Sequence, residues 1–316
     1  MKVLIYHLLL SAAFVFAAGS VEQYFGLTPE SAQAKGLDAT HSAVAIDGAK
    51  ISPDACATCH EDEVDSYMNT THAHSWSANM NCAECHGDAT KHIETEGAKG
   101  TIVSMKNLSS NEASATCVKC HEQTGEQSHT QLSEHFRAGV GCTDCHSVHP
   151  TGEHKAEMTS AGKSAMLKAK QTELCLSCHD AASADFTKPT HHRMKEGVMD
   201  CSSCHNPHGT TFDHQLRADA KSLCTSCHQD KKGPFVYEHN AGAMEDCMAC
   251  HESHGSGARN MLKDRDPRTL CISCHSKEIG KGVPHGRAGF SLQTTGDCTR
   301  CHAAIHGSNH DEFLIR

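Results

Sequence analysis

The hydrophobic pattern has one strong feature, at the start of the chain, and then fades. Val3 to Ala18 is apolar apart from Tyr6, His7 and Ser11, with Lys2 before it and small residues after it. That run is too short to span a bilayer convincingly, and it reads as the apolar core of an export signal over residues 1–19. Two cleavage points fit: after Gly19, and after Ala34, where Ala32-Gln33-Ala34 has the small-x-small form. An uncleaved anchor is the other reading of the segment. Residues 20–50 are polar and read as a flexible lead-in. Beyond them no stretch alternates apolar and polar positions over the length of a strand. Short helices are predicted around Ala55–Met68 and Leu174–Ala184. A linker helix is predicted over Lys155–Lys170, where helix-favouring residues lack strong amphipathic order. Gly, Asn, Asp and Pro punctuate most other spacers, as in Asn206-Pro207-His208-Gly209.

Composition sharpens that picture. Hydrophobic residues make up 38% of the chain and aromatics 4%, and the mean hydropathy is -0.48. A chain of this length normally buries about three quarters of its unfolded surface. The side chains for such a core are missing, so something other than polypeptide must supply the buried apolar surface. The formal charge of -10 disfavours nucleic acid as a partner and suits basic patches on partner proteins.

The cysteines identify the missing material. All twenty fall in ten copies of Cys-x-x-Cys-His. The pairs are Cys56 and Cys59, Cys82 and Cys85, Cys117 and Cys120, Cys142 and Cys145, Cys175 and Cys178 in the first half. The second half holds Cys201 and Cys204, Cys224 and Cys227, Cys247 and Cys250, Cys271 and Cys274, Cys298 and Cys301. The motif histidines are His60, His86, His121, His146, His179, His205, His228, His251, His275 and His302. This pentapeptide attaches a c-type haem: two thiols bond the porphyrin and the adjacent histidine ligates the iron. A disulfide framework does not explain a histidine after every second cysteine. Zinc ribbons have no reason to demand histidine there ten times out of ten. The expected cofactor is therefore ten covalently bound haem c groups with their iron, and covalent attachment of this kind agrees with export.

A second pattern overlies the motifs. Every even-numbered motif is preceded by one further histidine and followed by another. The preceding ones are His72, His135, His192, His239 and His285; the trailing ones are His92, His149, His208, His254 and His306. Each repeat thus runs motif, spacer histidine, motif, trailing histidine. The decahaem domain, 51–310, reads as five two-haem modules at about 51–95, 113–155, 171–214, 220–258 and 267–310, with a tail at 311–316. These ten histidines match the ten irons in number and are the candidates for the second axial position, giving bis-histidine ligation throughout. A trailing histidine lies about one helical turn from the proximal ligand, on the face already held by thioethers, so it should reach an adjacent haem. His74, His191 and His310 compete with His72, His192 and His306. The default for His41, His129, His154 and His214 is a solvated side chain.

Several longer stretches resemble the decahaem cytochromes of the MtrA/DmsE family. They are Cys82-Ala-Glu-Cys-His86-Gly with His92, and Cys201-Ser-Ser-Cys-His205-Asn-Pro-His208-Gly with its lead-in from His192. Lys232-Gly-Pro-Phe-Val-Tyr-Glu-His239 leading to Cys247-Met-Ala-Cys-His251-Glu-Ser-His254, and Cys298 to His310, complete the likeness. His191-His192-Arg193 departs from the pattern, because proline commonly follows the ligand in the family. The resemblance implies a mostly irregular multihaem cytochrome c with short α-helices, an elongated haem wire and essentially no β-sheet. It implies a periplasmic electron carrier associated with the outer membrane. The partners it implies are an outer-membrane β-barrel porin, an outer-surface multihaem cytochrome or terminal reductase, and a periplasmic or inner-membrane cytochrome donor. No catalytic residue is expected. A multihaem reductase of nitrite or sulfite type is the rival reading, although no Cys-x-x-Cys-Lys variant marks an open iron. A soluble periplasmic shuttle or electron store is the third.

Overall fold

Each Cys-x-x-Cys-His motif forms a single helical turn. The histidine N–H donates to the carbonyl of the first cysteine, at 2.9 Å for His60 and Cys56, 3.0 Å for His205 and Cys201, and 3.1 Å for His179 and Cys175. One turn brings both thiols and the imidazole to the same side of the backbone. The computed structural model describes residues 53–74, 81–121, 125, 127–150, 166–239, 247–275 and 298–315. All of these belong to one unit, Lys50–Arg316. The signal segment, the lead-in, His154, His285 and most of the Lys155–Lys170 helix lie outside the described residues.

Secondary structure among the described residues is short and broken. The longest helices are Ser110–His121 and Pro267–His275, and both end in a motif histidine. Two predicted helices are interrupted at their motifs. Ala55–Met68 is two helices, Pro53–Ala57 and Glu61–Met68. Leu174–Ala184 is likewise divided between Gln171–Leu176 and Asp180–Asp185. The cause is local: the motif histidine leaves helical geometry, with φ and ψ of -123 and 50 at His60 and -93 and 64 at His179. The described end of the predicted linker helix is not helical. Met166 adopts φ 54, and Leu167 forms a bridge with His146.

The sheet is minimal. β1, Thr190–His191, pairs antiparallel with β2, Gly255–Ser256. A Cβ on Gly255 would strike the carbonyl of Asp185, so glycine is required for that approach. Elsewhere, odd and even motifs pack in sequence order. The helix Ser110–His121 lies on Cys142–Cys145, Gln171–Leu176 on Cys201–Ser203, Ala220–Thr225 on Cys247–Ala249, and Pro267–His275 on Cys298–Arg300. In the first of these the Cys142 amide donates to Ser114 Oγ at 2.8 Å, and Ser114 is fully buried.

Over the described residues the polypeptide builds almost no apolar core. Among the described residues the buried hydrophobic ones are Ala89, Ala113, Phe186, Met194, Ala258 and Leu314, half of them alanine. At about 25 cal/mol per Å² of buried apolar surface, so few small side chains cannot offset the entropy of ordering this chain. The cofactor has to contribute the rest.

One further repeat holds the even motifs. After motif 4, Ser147 N–H donates to Met166 O at 2.8 Å and Lys168 N–H to Cys145 O at 2.9 Å. After motif 6 the same bonds join Asn206 to Gln215 and Arg217 to Cys204, and after motif 8 they join Glu252 to Met261 and Lys263 to Cys250. At each of these motifs the returning segment bridges the motif histidine antiparallel, Leu167 to His146, Leu216 to His205 and Leu262 to His251.

Candidate haem-binding sites

The motif histidines are brought against the additional histidines in nine ring pairs, with centroids 5.9 to 6.3 Å apart. The pairs obey a rule. His86, His146, His205 and His251 of even motifs face His149, His208, His254 and His306, the histidines trailing the next even motif. His121, His179, His228 and His275 of odd motifs face His72, His135, His192 and His239, the spacer histidines of the preceding repeat. His60 of the first motif faces His92 of its own repeat, where no earlier repeat exists to supply a partner. The tenth motif histidine, His302, is described, whereas His285 is not. Among the competitors, His72, His192 and His306 face motif histidines. His191 instead takes part in β1 and pairs with Glu196 at 3.1 Å.

These separations fit an iron. Two metal–imidazole bonds of about 2.0 Å, each with about 1.1 Å from nitrogen to ring centre, place the centroids about 6.2 Å apart. The donors are also aimed. The Nδ1 atoms of His86, His205, His251 and His302 lie 2.8, 2.9, 2.9 and 2.6 Å from the carbonyls of Val103, His214, Asn260 and Phe313. On the facing side, the Nδ1 atoms of His149, His135 and His192 lie 3.0, 3.1 and 2.6 Å from the carbonyls of Glu63, Pro207 and Ser253. A carbonyl can only accept, so Nδ1 carries the proton and the Nε2 lone pair is left for a metal. Burial pushes the imidazoles of His72, His239, His254 and His306 below the ordinary histidine pKa, favouring the neutral form that ligates.

The thiols are arranged in chain order as well. Within repeats the first cysteines meet: Cys117 is hydrogen-bonded to Cys142, and Cys175 to Cys201. The shared bond holds Cys142 and Cys201 below the ordinary thiol value and pushes their partners up. Cys82, also beside Cys56, is raised to about 11, chiefly by burial. Between repeats the second cysteines are the neighbours, with Cys85 near Cys120, Cys145 near Cys178 and Cys204 near Cys227. Porphyrins held by these thiols would follow one another in sequence order over the first seven motifs.

The return segments were not foreseen from the sequence. Their signal is a repeated trio after the even motifs: Met166-Leu167-Lys168, Gln215-Leu216-Arg217, Met261-Leu262-Lys263 and Leu314-Ile315-Arg316. In the last three the residue just before the trio, His214, Asn260 or Phe313, supplies the carbonyl that meets the motif histidine.

Comparisons with known proteins agree with this chemistry. The doubled Cys-x-x-Cys-His motif family matches residues 191–233 and 239–280. The NrfB-like c-type cytochrome family matches residues 82–167. The multihaem cytochrome MtrA of Shewanella baltica (strain OS185) is 33% identical over 275 residues, covering 81% of this chain and 78% of its own length. The cysteines therefore bind haem c covalently, and the chain belongs to the MtrA family of multihaem c-type cytochromes, proteins of electron transfer.

Proposed function

We propose that this chain binds ten haem c groups in five two-haem modules, all with two histidine ligands, and carries electrons across the periplasm to the outer membrane. The nine histidine pairs carry this reading, because their spacing suits iron and their order obeys one rule. His285, the spacer histidine of the last module, is the remaining candidate for the iron of His302. Each iron supplies a one-electron couple. The cysteines and motif histidine would hold it from one side, and the second imidazole would keep water and substrate from the other. Histidine at both positions avoids the raised potential that methionine ligation brings. The family to which the chain belongs supports the finer picture. In it, the Val3–Ala18 segment directs export, a periplasmic or inner-membrane cytochrome donates, and a β-barrel porin with an outer-surface cytochrome or reductase receives.

The test is mass spectrometry and EPR of purified protein, followed by co-purification from outer membranes. Ten haems, a low-spin ferric spectrum and a bound barrel protein support the whole reading. Fewer haems or a substantial high-spin population would overturn the ligand set. Recovery free of any barrel would remove the conduit and leave a periplasmic shuttle.

A further inference from the structure

Ten pentapeptides of one pattern are covered in two different ways, and the two alternate along the chain. The motif histidines of odd motifs, His60, His121, His179, His228 and His275, are all exposed. Those of even motifs, His86, His146, His205, His251 and His302, are all half-buried. The difference comes from the segment on the C-terminal side of each motif. The even motifs 4, 6, 8 and 10 have return segments, and at motifs 6, 8 and 10 the histidine Nδ1 lies against a backbone carbonyl of the return; at motif 2 the carbonyl is that of Val103.

The return is built at a conformational cost. Met166, His214, Gln215, Asn260, Met261 and Leu314 all adopt φ between 54 and 59, a region that L-residues other than glycine rarely enter. In two returns the strained residues are consecutive, His214 with Gln215 and Asn260 with Met261. The carbonyls of His214 and Asn260 are the ones that meet the imidazoles of His205 and His251. Strain of this kind persists where the surroundings over-determine it, and it clusters where geometry serves a function.

We propose that the return segments position and electronically tune the motif histidines of the even-numbered haems, dividing the ten haems into two alternating classes. This rests on the ligand reading above. A carbonyl accepting from Nδ1–H fixes the imidazole plane and makes Nε2 a stronger donor. A stronger donor favours ferric over ferrous iron, so each return lowers the potential of its haem. The motif histidines of the odd-numbered haems are the more exposed set.

Met261 supplies the test in the full-length holoprotein. Met261→Gly accepts the left-handed backbone and preserves the return, while Met261→Val resists it. Potentiometric titration followed by absorbance and EPR reads the result. The expected outcome for Met261→Val is an unchanged haem mass, a low-spin spectrum, one titrating component moved to higher potential and one shifted ferric g-maximum. Met261→Gly titrates as the parent does. A Met261→Val protein with all haems low-spin and a parental titration overturns the tuning. Electron–nuclear double resonance of the unaltered protein in D2O decides independently of folding. Motif-histidine Nδ1 protons held by returns exchange slowly, and a single fast-exchanging population overturns the proposal. Haem mass and spin state of the unaltered protein test ligation itself, so failure of that reading is distinguishable from failure of the tuning.

Discussion

The imidazole of His149 faces that of His86 with centroids 6.3 Å apart, so a residue beyond the fourth motif closes the site of the second. His72, beyond the first motif, faces His121 of the third at 5.9 Å. The first junction between proposed modules is thus crossed twice, in opposite directions. The same double crossing recurs at the next three junctions, through His208 and His135, His254 and His192, and His306 and His239. With iron in place, each crossing becomes a coordinate bond, and no interior module completes its own sites. Such a ladder resembles a repeat protein in having nearest-neighbour interfaces, but its interface terms are metal bonds.

Replacing His149 separates ligation from attachment. In His149→Ala the second haem stays covalently bound and loses its distal ligand. EPR should show one high-spin ferric haem with the full haem mass retained. His149→Met should stay low-spin and raise the potential of that haem, because thioether ligation favours ferrous iron. A wholly low-spin His149→Ala protein would show that His149 is not the ligand.

Much of the site was legible because haem attachment is local chemistry. Two cysteines and a histidine on one turn announce themselves wherever they lie, and the nine described histidines that face a motif histidine stand in fixed order about the even motifs. The pairing was harder. His149 and His208 sit in equivalent sequence positions, and only the folded chain carries each back to the preceding even motif. Helix boundaries were misread at Thr58–His60 and Ser177–His179, because helix-favouring flanks conceal the departure of the motif histidine from helical φ and ψ. The returns escaped notice because Leu216-Arg217 or Leu262-Lys263 carries no chemistry of its own. Its role emerges only through backbone groups.

Adjacent histidines give a sharp contrast. His192 faces His228, whereas His191 bonds Lys188 O at 2.6 Å and Glu196 at 3.1 Å. His192→Ala should produce a high-spin haem at motif 7, and His191→Ala should keep every haem low-spin. His306→Ala and His310→Ala should divide in the same manner at motif 8, since His306 faces His251. EPR of the four proteins checks the assignments, and a reversed result at either pair would reassign that ligand.

Gly141 precedes the fourth motif and is buried against the helix of the third. A Cβ there would collide with the carbonyl of Ser110 and with Ser114 Oγ. Backbone on one side and a fully buried hydroxyl on the other leave little room to relax. Gly141→Ala should destabilise the holoprotein by about 1–3 kcal/mol, the usual range for overpacking. Thermal unfolding followed at the haem absorbance checks it, and an unchanged midpoint would mean that the two motifs can separate freely.

Acid should loosen the helices that carry odd motifs before it disturbs the rest. Glu112 accepts from Ser109 Oγ at 2.7 Å and from Ser109 N–H at 2.8 Å, at the start of Ser110–His121. Asp219 accepts from the Ser222 amide at 2.9 Å, at the start of Ala220–Thr225. These bonds favour the ionised carboxylates: the Ser109 hydroxyl is the largest cause at Glu112, and the Ser222 amide at Asp219. Both carboxyls are held below their ordinary values of 4.5 and 3.8. A depressed folded pKa means that the unfolded chain takes up protons first. The caps therefore stabilise fully above the ordinary values, and that contribution is lost as pH falls through the folded ones. Circular dichroism should show helical signal decreasing below about pH 4, the usual carboxylate range. Glu112→Gln retains an acceptor without a titrating proton, and should remove the part of the decrease that belongs to Ser110–His121. An acid profile identical to the parent's would show that this cap contributes nothing to the helix bearing Cys117 and His121.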